Sequence, residues 1–259
     1  MQIRFGPAGL GGVKEAAGNL EEFHKLGLKA CEIAFTYGVY IKTKKGAEEI
    51  GKKAKEKDIQ LSIHAPYWIN LNSKEKRKIE ESKKRILDCC EIGNFLQAYC
   101  VVFHPGYYGG MDKEQTYNNI KKEILEMQEE IKKNKWKIKL APETTGKVNV
   151  FGSVEEISRL ADETGCFFCL DFAHILAREK KVDYEEVLSR FKDCKQLHVH
   201  FSGIEYGEKG ERRHKKTSEK EAKELLNALK KLQNKEIVII NESPDMIKDS
   251  VMMAKLAKD

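Results

Sequence analysis

LHVHFSG, residues 197–203, is an apolar run of strand length that carries two imidazoles and then breaks at serine and glycine. The same design recurs along the chain. LSIHAP (61–66) ends on His64, VVFHPG (101–106) on His104 and LAPETT (140–145) on Glu143. CLDFAH (169–174) ends on Asp171 and His174, and IINESP (239–244) on Glu242. His214 follows in the loop after His200, so six of the seven histidines fall at or just beyond strand ends. Only His24, in EEFHKLG, stands apart. A strand that is apolar along its length and finishes in such a residue presents it at a sheet edge. Several strands doing so describe a convergent site, and imidazole mixed with carboxylate suits zinc, manganese or iron.

Outward from these runs, candidate strands fall at 2–6, 31–35, 60–64, 99–104, 137–141, 167–171, 196–201 and 236–241. Each precedes a stretch with apolar residues at helical spacing, clearest at 74–95, 113–133 and 218–232. Ser73, Asp112 and Ser153 stand where N-caps belong, and Ser153 with Glu156 spells a capping box. Strands that are nearly continuous in apolar residues are covered on both faces, and helical crossovers between them imply a parallel sheet. Eight such units predict an α/β fold, a single (β/α)8 TIM barrel spanning residues 1–259. Active sites of that fold lie at the C-terminal ends of the strands, where the histidines and acids collect. The connection 202–217, rich in charge and glycine, reads as a polar loop over the barrel mouth.

Length and composition agree with one such domain. The chain has 259 residues, opens on the apolar run Met1 to Phe5 without signal-peptide architecture, and holds no stretch fit to span a bilayer. A cytoplasmic protein without membrane partners is expected. Seven scattered cysteines do not make a secreted disulfide framework, and Cys166-x-x-Cys169 reads as two buried thiols rather than a redox or zinc motif. The net charge of +6 arises from abundant charge of both signs and does not by itself call for a nucleic-acid partner.

Strand periodicity sharpens the choice of ligands. His198 and His200 are two apart and share a face, with His200 nearer the mouth and the better ligand. His198 sits one layer deeper, as a donor to the ligand shell or a packed core group. Asp171 and His174 are placed to serve neighbouring ions, Glu143 and Glu242 have two oxygens each with which to bridge, and His64 and His104 end adjacent strands.

SIHAPYWINL (62–71), VVFHPG, PETT (142–145), LDFAH (170–174), HFSG (200–203) with RRH (212–214), and NESP (241–244) occur in one order across essentially the whole chain. That ordered set resembles endonuclease IV, the metal-dependent apurinic/apyrimidinic endonucleases (AP endonuclease family 2) of the xylose-isomerase-like TIM-barrel superfamily. The resemblance implies two or three zinc ions, with manganese as an alternative. Glu143 would bridge two ions. His64 and His104 would complete one, Asp171, His200 and Glu242 the other, and His174 and His214 would hold a third. Glu143, Asp171 and Glu242 would be catalytic. Tyr67 matches a tyrosine on the family's DNA-binding surface.

Two departures stand out. The family's third ion also takes an aspartate two residues before the last histidine; Arg212 stands there, with Glu211 one residue earlier. The family's DNA-gap segment after strand two is replaced by FTYGVYIKTKK (35–45), which leaves Tyr37, Tyr40 or Lys42 for that role. The implied activity is hydrolysis of double-stranded DNA 5′ to abasic sites in base-excision repair, by a monomer. Arg212, Arg213, Lys215 and Lys216 would meet phosphates, and Tyr67, Trp68, Tyr107 and Tyr108 exposed bases. The rival reading is a single-metal sugar isomerase or epimerase of the same superfamily, using Glu143, Asp171, His200 and Glu242 alone.

Overall fold

The apolar runs form eight parallel strands: β1 (Gln2–Pro7), β2 (Ala30–Ala34), β3 (Gln60–His64), β4 (Cys100–Phe103), β5 (Lys139–Pro142), β6 (Leu170–Asp171), β7 (Gln196–Phe201) and, beyond a hairpin of β8 (Gly203–Gly207) and β9 (Gly210–Lys215), β10 (Glu236–Asn241). In this computed structural model residues 2–232 and 234–258 are described; Met1, which heads the opening apolar run, lies outside them. Hydrogen bonding orders the strands as β1-β10-β7-β6 and β2-β3-β4-β5. Two seams join these halves. Lys29 N donates to Phe5 O (3.0 Å) between β1 and β2. Cys169 N donates to Pro142 O (3.0 Å) and Thr144 N to Cys169 O (3.1 Å) between β5 and β6. The ring is the expected (β/α)8 TIM barrel.

Helices α1 (Ala16–Lys25), α2 (Lys44–Glu56), α3 (Lys76–Leu96), α4 (Lys113–Lys133), α5 (Val154–Thr164), α6 (Phe172–Glu179), α7 (Tyr184–Ser189), α8 (Glu219–Lys230) and α9 (Met246–Leu256) surround it. Asp112 caps α4 by accepting from Glu114 N and Gln115 N, and Ser153 with Glu156 forms both bonds of the capping box on α5. Ser73 does not cap α3. Its hydroxyl accepts from Glu75 N (3.2 Å), closing a turn just before the helix, which starts at Lys76. None of the described helices is long and apolar enough to cross a membrane. Cys166 and Cys169 are free and buried, and burial pushes both thiols up, Cys166 to about 11.

Two elements differ from expectation. The run 167–171 keeps only Leu170 and Asp171 in regular pairing, because Phe168 turns onto Phe191 (ring centroids 4.3 Å) and Phe167 onto Phe168. The stretch 202–217 is largely a hairpin rather than a loop. Pairing β8 with β9 satisfies backbone groups that a long connection would leave open, and Ile204 docks it on Ala173 and Ala177 of α6.

The β1–β2 seam is tight because residue 6 has no side chain. A Cβ there would lie 1.7 Å from Ala30 O. Gly6→Ala is expected to lower unfolding free energy by about 3 kcal/mol, the upper end of overpacking penalties. Urea denaturation checks this, and an unchanged midpoint would contradict the seam.

Candidate metal centre

Parallel register carries the ligand-type residues to one level. His64 pairs with Ala34 and Val102, and Asp171 with His200, which pairs in turn with Ile240. His104, Glu143 and Glu242 each follow the last residue of their strands. His174 enters through a helix start: Asp171 caps α6, its Oδ1 accepting from His174 N at 2.7 Å. The cap occupies one carboxylate oxygen and leaves Oδ2 facing the centre.

Glu143 lies at the middle. Its Oε2 is 3.1 Å from Nε2 of both His64 and His104, and its Oε1 is 3.0 Å from His174 Nδ1 and 3.5 Å from His200 Nδ1. His200 Nδ1 is also 3.4 Å from Glu242 Oε1, and Asp171 Oδ2 is 3.3 Å from His174 Nδ1. Ligand atoms within 4.8 Å of one another form four groups among the described residues: His64–His104–Glu143, Glu143–Asp171–His200–Glu242, Asp171–His174–His214 and, one layer deeper, Cys169–His198–His200. Two atoms that share a tetrahedral ion at about 2.0–2.2 Å lie roughly 3.3–3.6 Å apart, which matches this spacing.

The hydrogen bonding is incomplete in a telling way. Among the described residues His104 Nε2, Glu143 Oε1, Asp171 Oδ2 and His200 Nδ1 are buried with no hydrogen-bond partner. Leaving such atoms unsatisfied costs about 1–3 kcal/mol each, and divalent cations between them would remove that cost. The donor set therefore fits metal ions. Ring orientations agree. His64 Nδ1 donates to Ala65 O (2.8 Å), so in the neutral ring Nε2 is the bare nitrogen and faces Glu143. The Ser202 hydroxyl donates to Gly203 O (2.9 Å), so its oxygen accepts from His214 Nδ1 (2.7 Å) and leaves His214 Nε2 bare.

Charge is correspondingly displaced. Burial alone would raise the Glu143 carboxyl, but His104, His174 and His200 hold it well below the usual range. Burial instead pushes Asp171 up to about 6. His64, resisting burial through its bond to Glu143, rises to about 9.

The hairpin brings Glu211, not Arg212, toward His174. Gly203, Ile204 and Glu205 pair with Lys215, His214 and Arg213, but Tyr206 pairs with Glu211 and Gly207 with Gly210. Arg212 is the extra residue of a β-bulge, and one extra residue reverses which side chains face in. Glu211 Oε2 thereby comes 3.4 Å from His174 Nε2. Arg212 and Arg213 point outward and pair with Glu205, at 3.9 and 2.8 Å.

Sequence patterning does not single out Glu32. It lies fully buried in β2 and reaches His198 and His200 across the barrel, at 3.1 and 3.0 Å. The available signal was a carboxylate inside a run, ACEIA, buried on both faces, where a charge requires partners.

Above the centre opens a cavity of about 450 Å³ lined by His64, Tyr67, His104, Tyr107, Lys147 and Glu211, among others. Tyr67 lines it and is 61% exposed, and Tyr37 and Trp68 are 80% and 59% exposed. Tyr37 and Trp68 rings lie 5.8 Å apart. Tyr108 does not join them: it is buried, donating to Glu156 Oε1 (2.7 Å) and accepting from Arg178 (3.1 Å). Tyr40 also turns away, its hydroxyl on Gly11 O (3.0 Å).

A closed barrel with imidazoles and carboxylates at the C-terminal strand ends defines the class, and the comparisons agree. Residues 20–256 match the xylose isomerase-like TIM barrel family, and the chain belongs to it. It is 39% identical over 252 residues to an uncharacterized protein of Methanocaldococcus jannaschii, covering 91% of this chain and 89% of that one. It is 30% identical over 171 residues to an apurinic-apyrimidinic endonuclease of Caenorhabditis elegans, covering 59% of this chain and 42% of the relative. In fold it is similar to endonuclease IV from Thermus thermophilus, with a TM-score of 0.73 at 20% identity over 100% of this chain and 98% of that one. A D-tagatose 3-epimerase-like protein is alike in fold to the same degree, with a TM-score of 0.72 at 20% identity over 100% and 96%.

Proposed function

We propose that this chain is a metal-dependent apurinic/apyrimidinic endonuclease, hydrolysing the DNA phosphodiester 5′ to abasic sites. The observation that carries this reading is the number of ligand groups: Glu143 is shared by two and Asp171 links a third, where an isomerase that binds one ion needs only the Glu143–Asp171–His200–Glu242 group. The endonuclease relatives support the same choice. Zinc is the proposed metal because the groups are rich in imidazole.

Divalent ions held there would activate water and neutralise charge on the phosphate oxygens. The chain's residues set the geometry for this. Glu143 turns one oxygen toward His64 and His104 and the other toward His174 and His200, so it ties the groups at a fixed spacing. Asp171 and Glu242 flank His200 and supply negative charge that retains cations. Tyr37, Tyr67 and Trp68 offer flat faces to bases exposed at a lesion. The product pair is a 3′-hydroxyl and a 5′-deoxyribose phosphate, with no covalent link to the protein.

The test is an end-labelled duplex with one abasic analogue, incubated with the zinc-loaded and the chelated chain. Chelator-sensitive incision 5′ to the lesion is expected. Absence of incision, together with epimerisation of a free ketose, would transfer the assignment to the sugar isomerases. That second reading rests on the four-residue group and the likeness of fold to the epimerase.

Glu211 is proposed to take the place of the missing aspartate at the third group. Glu211→Ala is expected to lower bound zinc by one ion per chain and incision by about tenfold to a hundredfold. Elemental analysis decides it: unchanged zinc content would remove Glu211 from the ligands.

A further inference from the structure

One layer beneath the metal centre the barrel interior holds a second polar cluster. Glu32 pairs in register with Ser62, and His198 with Val238, two residues below the level of His64 and His200. Glu32 on β2 crosses the barrel to meet β7. Its Oε2 accepts from the Ser62 hydroxyl (2.8 Å) and lies 3.1 Å from His198 Nε2. Its Oε1 has no hydrogen-bond partner and lies 3.0 Å from His200 Nε2.

Proton accounting fixes the direction of these contacts. Ionised Glu32 can only accept, so neutral His198 gives it the proton of Nε2, and the bare Nδ1 accepts from the Tyr99 hydroxyl. His198 Nε2 is then no acceptor for His200 Nε2, which stands 3.2 Å away. A buried carboxylate with one hydroxyl and one imidazole donor still has an open oxygen, and the proton of His200 Nε2 fills it. With that proton placed, the other ring nitrogen is bare. His200 Nδ1 is the atom that faces Glu143 and Glu242.

We propose that Glu32 is a positioning residue that holds the proton of His200 on Nε2, so that the Nδ1 lone pair is turned permanently toward the ligand groups of Glu143 and Glu242. This rests on the metal-dependent reading above and deepens it. A histidine whose far nitrogen donates to a carboxylate is both oriented and made a stronger ligand, and loss of such a partner weakens metal binding by about tenfold to a hundredfold. His198, braced by Tyr99 and Glu32, keeps the carboxylate from rotating away. The cluster therefore acts through His200 and touches no substrate.

Two measurements on the full chain test this, both with zinc as the probe. In zinc-loaded protein labelled with ¹⁵N-histidine, His200 is expected to show a protonated Nε2 and a zinc-shifted Nδ1. Zinc affinity, by competition with a chromogenic chelator, is expected to fall by about tenfold to a hundredfold in Glu32→Gln, with the His200 tautomer no longer unique. A role confined to packing would lower the melting midpoint without moving the tautomer. Ligation of His200 through Nε2 in the wild type, as an ion shared with Cys169 and His198 would require, overturns the proposal. So does an unchanged affinity in Glu32→Gln. A wild-type chain that takes up no zinc at all would instead defeat the metal-dependent reading. Should Glu32→Gln not fold, the wild-type spectrum still decides.

Discussion

Glu143→Ala is expected to incise an abasic duplex at least about a thousandfold more slowly than the wild type, the upper range for losing one preorganised electrostatic contact. A larger loss is reasonable because one residue serves two groups. Its Oε2 lies between His64 and His104, and its Oε1 between His174 and His200. Removing it opens both at once and leaves each with imidazoles but no shared carboxylate. Bound zinc should fall with the rate. Glu143→Gln separates shape from charge: the amide fills the same space but carries no negative charge to hold cations between the rings. If the glutamine variant keeps wild-type incision, the anion is not needed and the assignment of Glu143 is wrong. Circular dichroism guards against the trivial outcome of a misfolded barrel.

Stripping zinc from the intact chain is expected to lower its melting midpoint by about 10 °C. An ion present at a thousand times its dissociation constant stabilises the native state by about 4 kcal/mol. For chains of this size each kcal/mol shifts the midpoint by roughly 2–4 °C. The molecular reason is the set of buried, unpartnered atoms on His104, Glu143, Asp171 and His200. Calorimetry with chelator, then with zinc restored, reads the difference and its reversal. A midpoint indifferent to zinc would mean that these groups satisfy one another, and the case for a metal centre would fail.

The barrel was legible because parallel strands buried on both faces have to be apolar throughout, and here six of the eight carry a ligand-type residue at or near their ends. His64, His104, Glu143, Asp171, His200 and Glu242 could be picked out on that ground, and the structure brings them within reach of one another. The contribution of Glu32 was not legible, since its partners lie across the barrel and 166 residues away along the chain for His198. Strand periodicity states which face a residue occupies but not which residues of the facing strands it meets. Tyr108 failed for a related reason. Aromatics adjacent in sequence, Tyr107 and Tyr108, point to opposite sides, and Glu156 with Arg178 draws the second inward.

The bulge at Arg212 separates spelling from chemistry. Compared column by column with a chain that reads Asp-Arg-His, this one exchanges a carboxylate for a guanidinium, a reversal of sign at the heart of a cation pocket. In space Arg212 points out of the pocket and Glu211 approaches His174. The hairpin absorbs the surplus arginine by kinking, swings its charge out to Glu205, and hands the inward seat to Glu211. What selection can preserve at such a position is the electrical balance of the pocket rather than the letter in the column, so a lost motif in a β-hairpin is informative only once its phase is known.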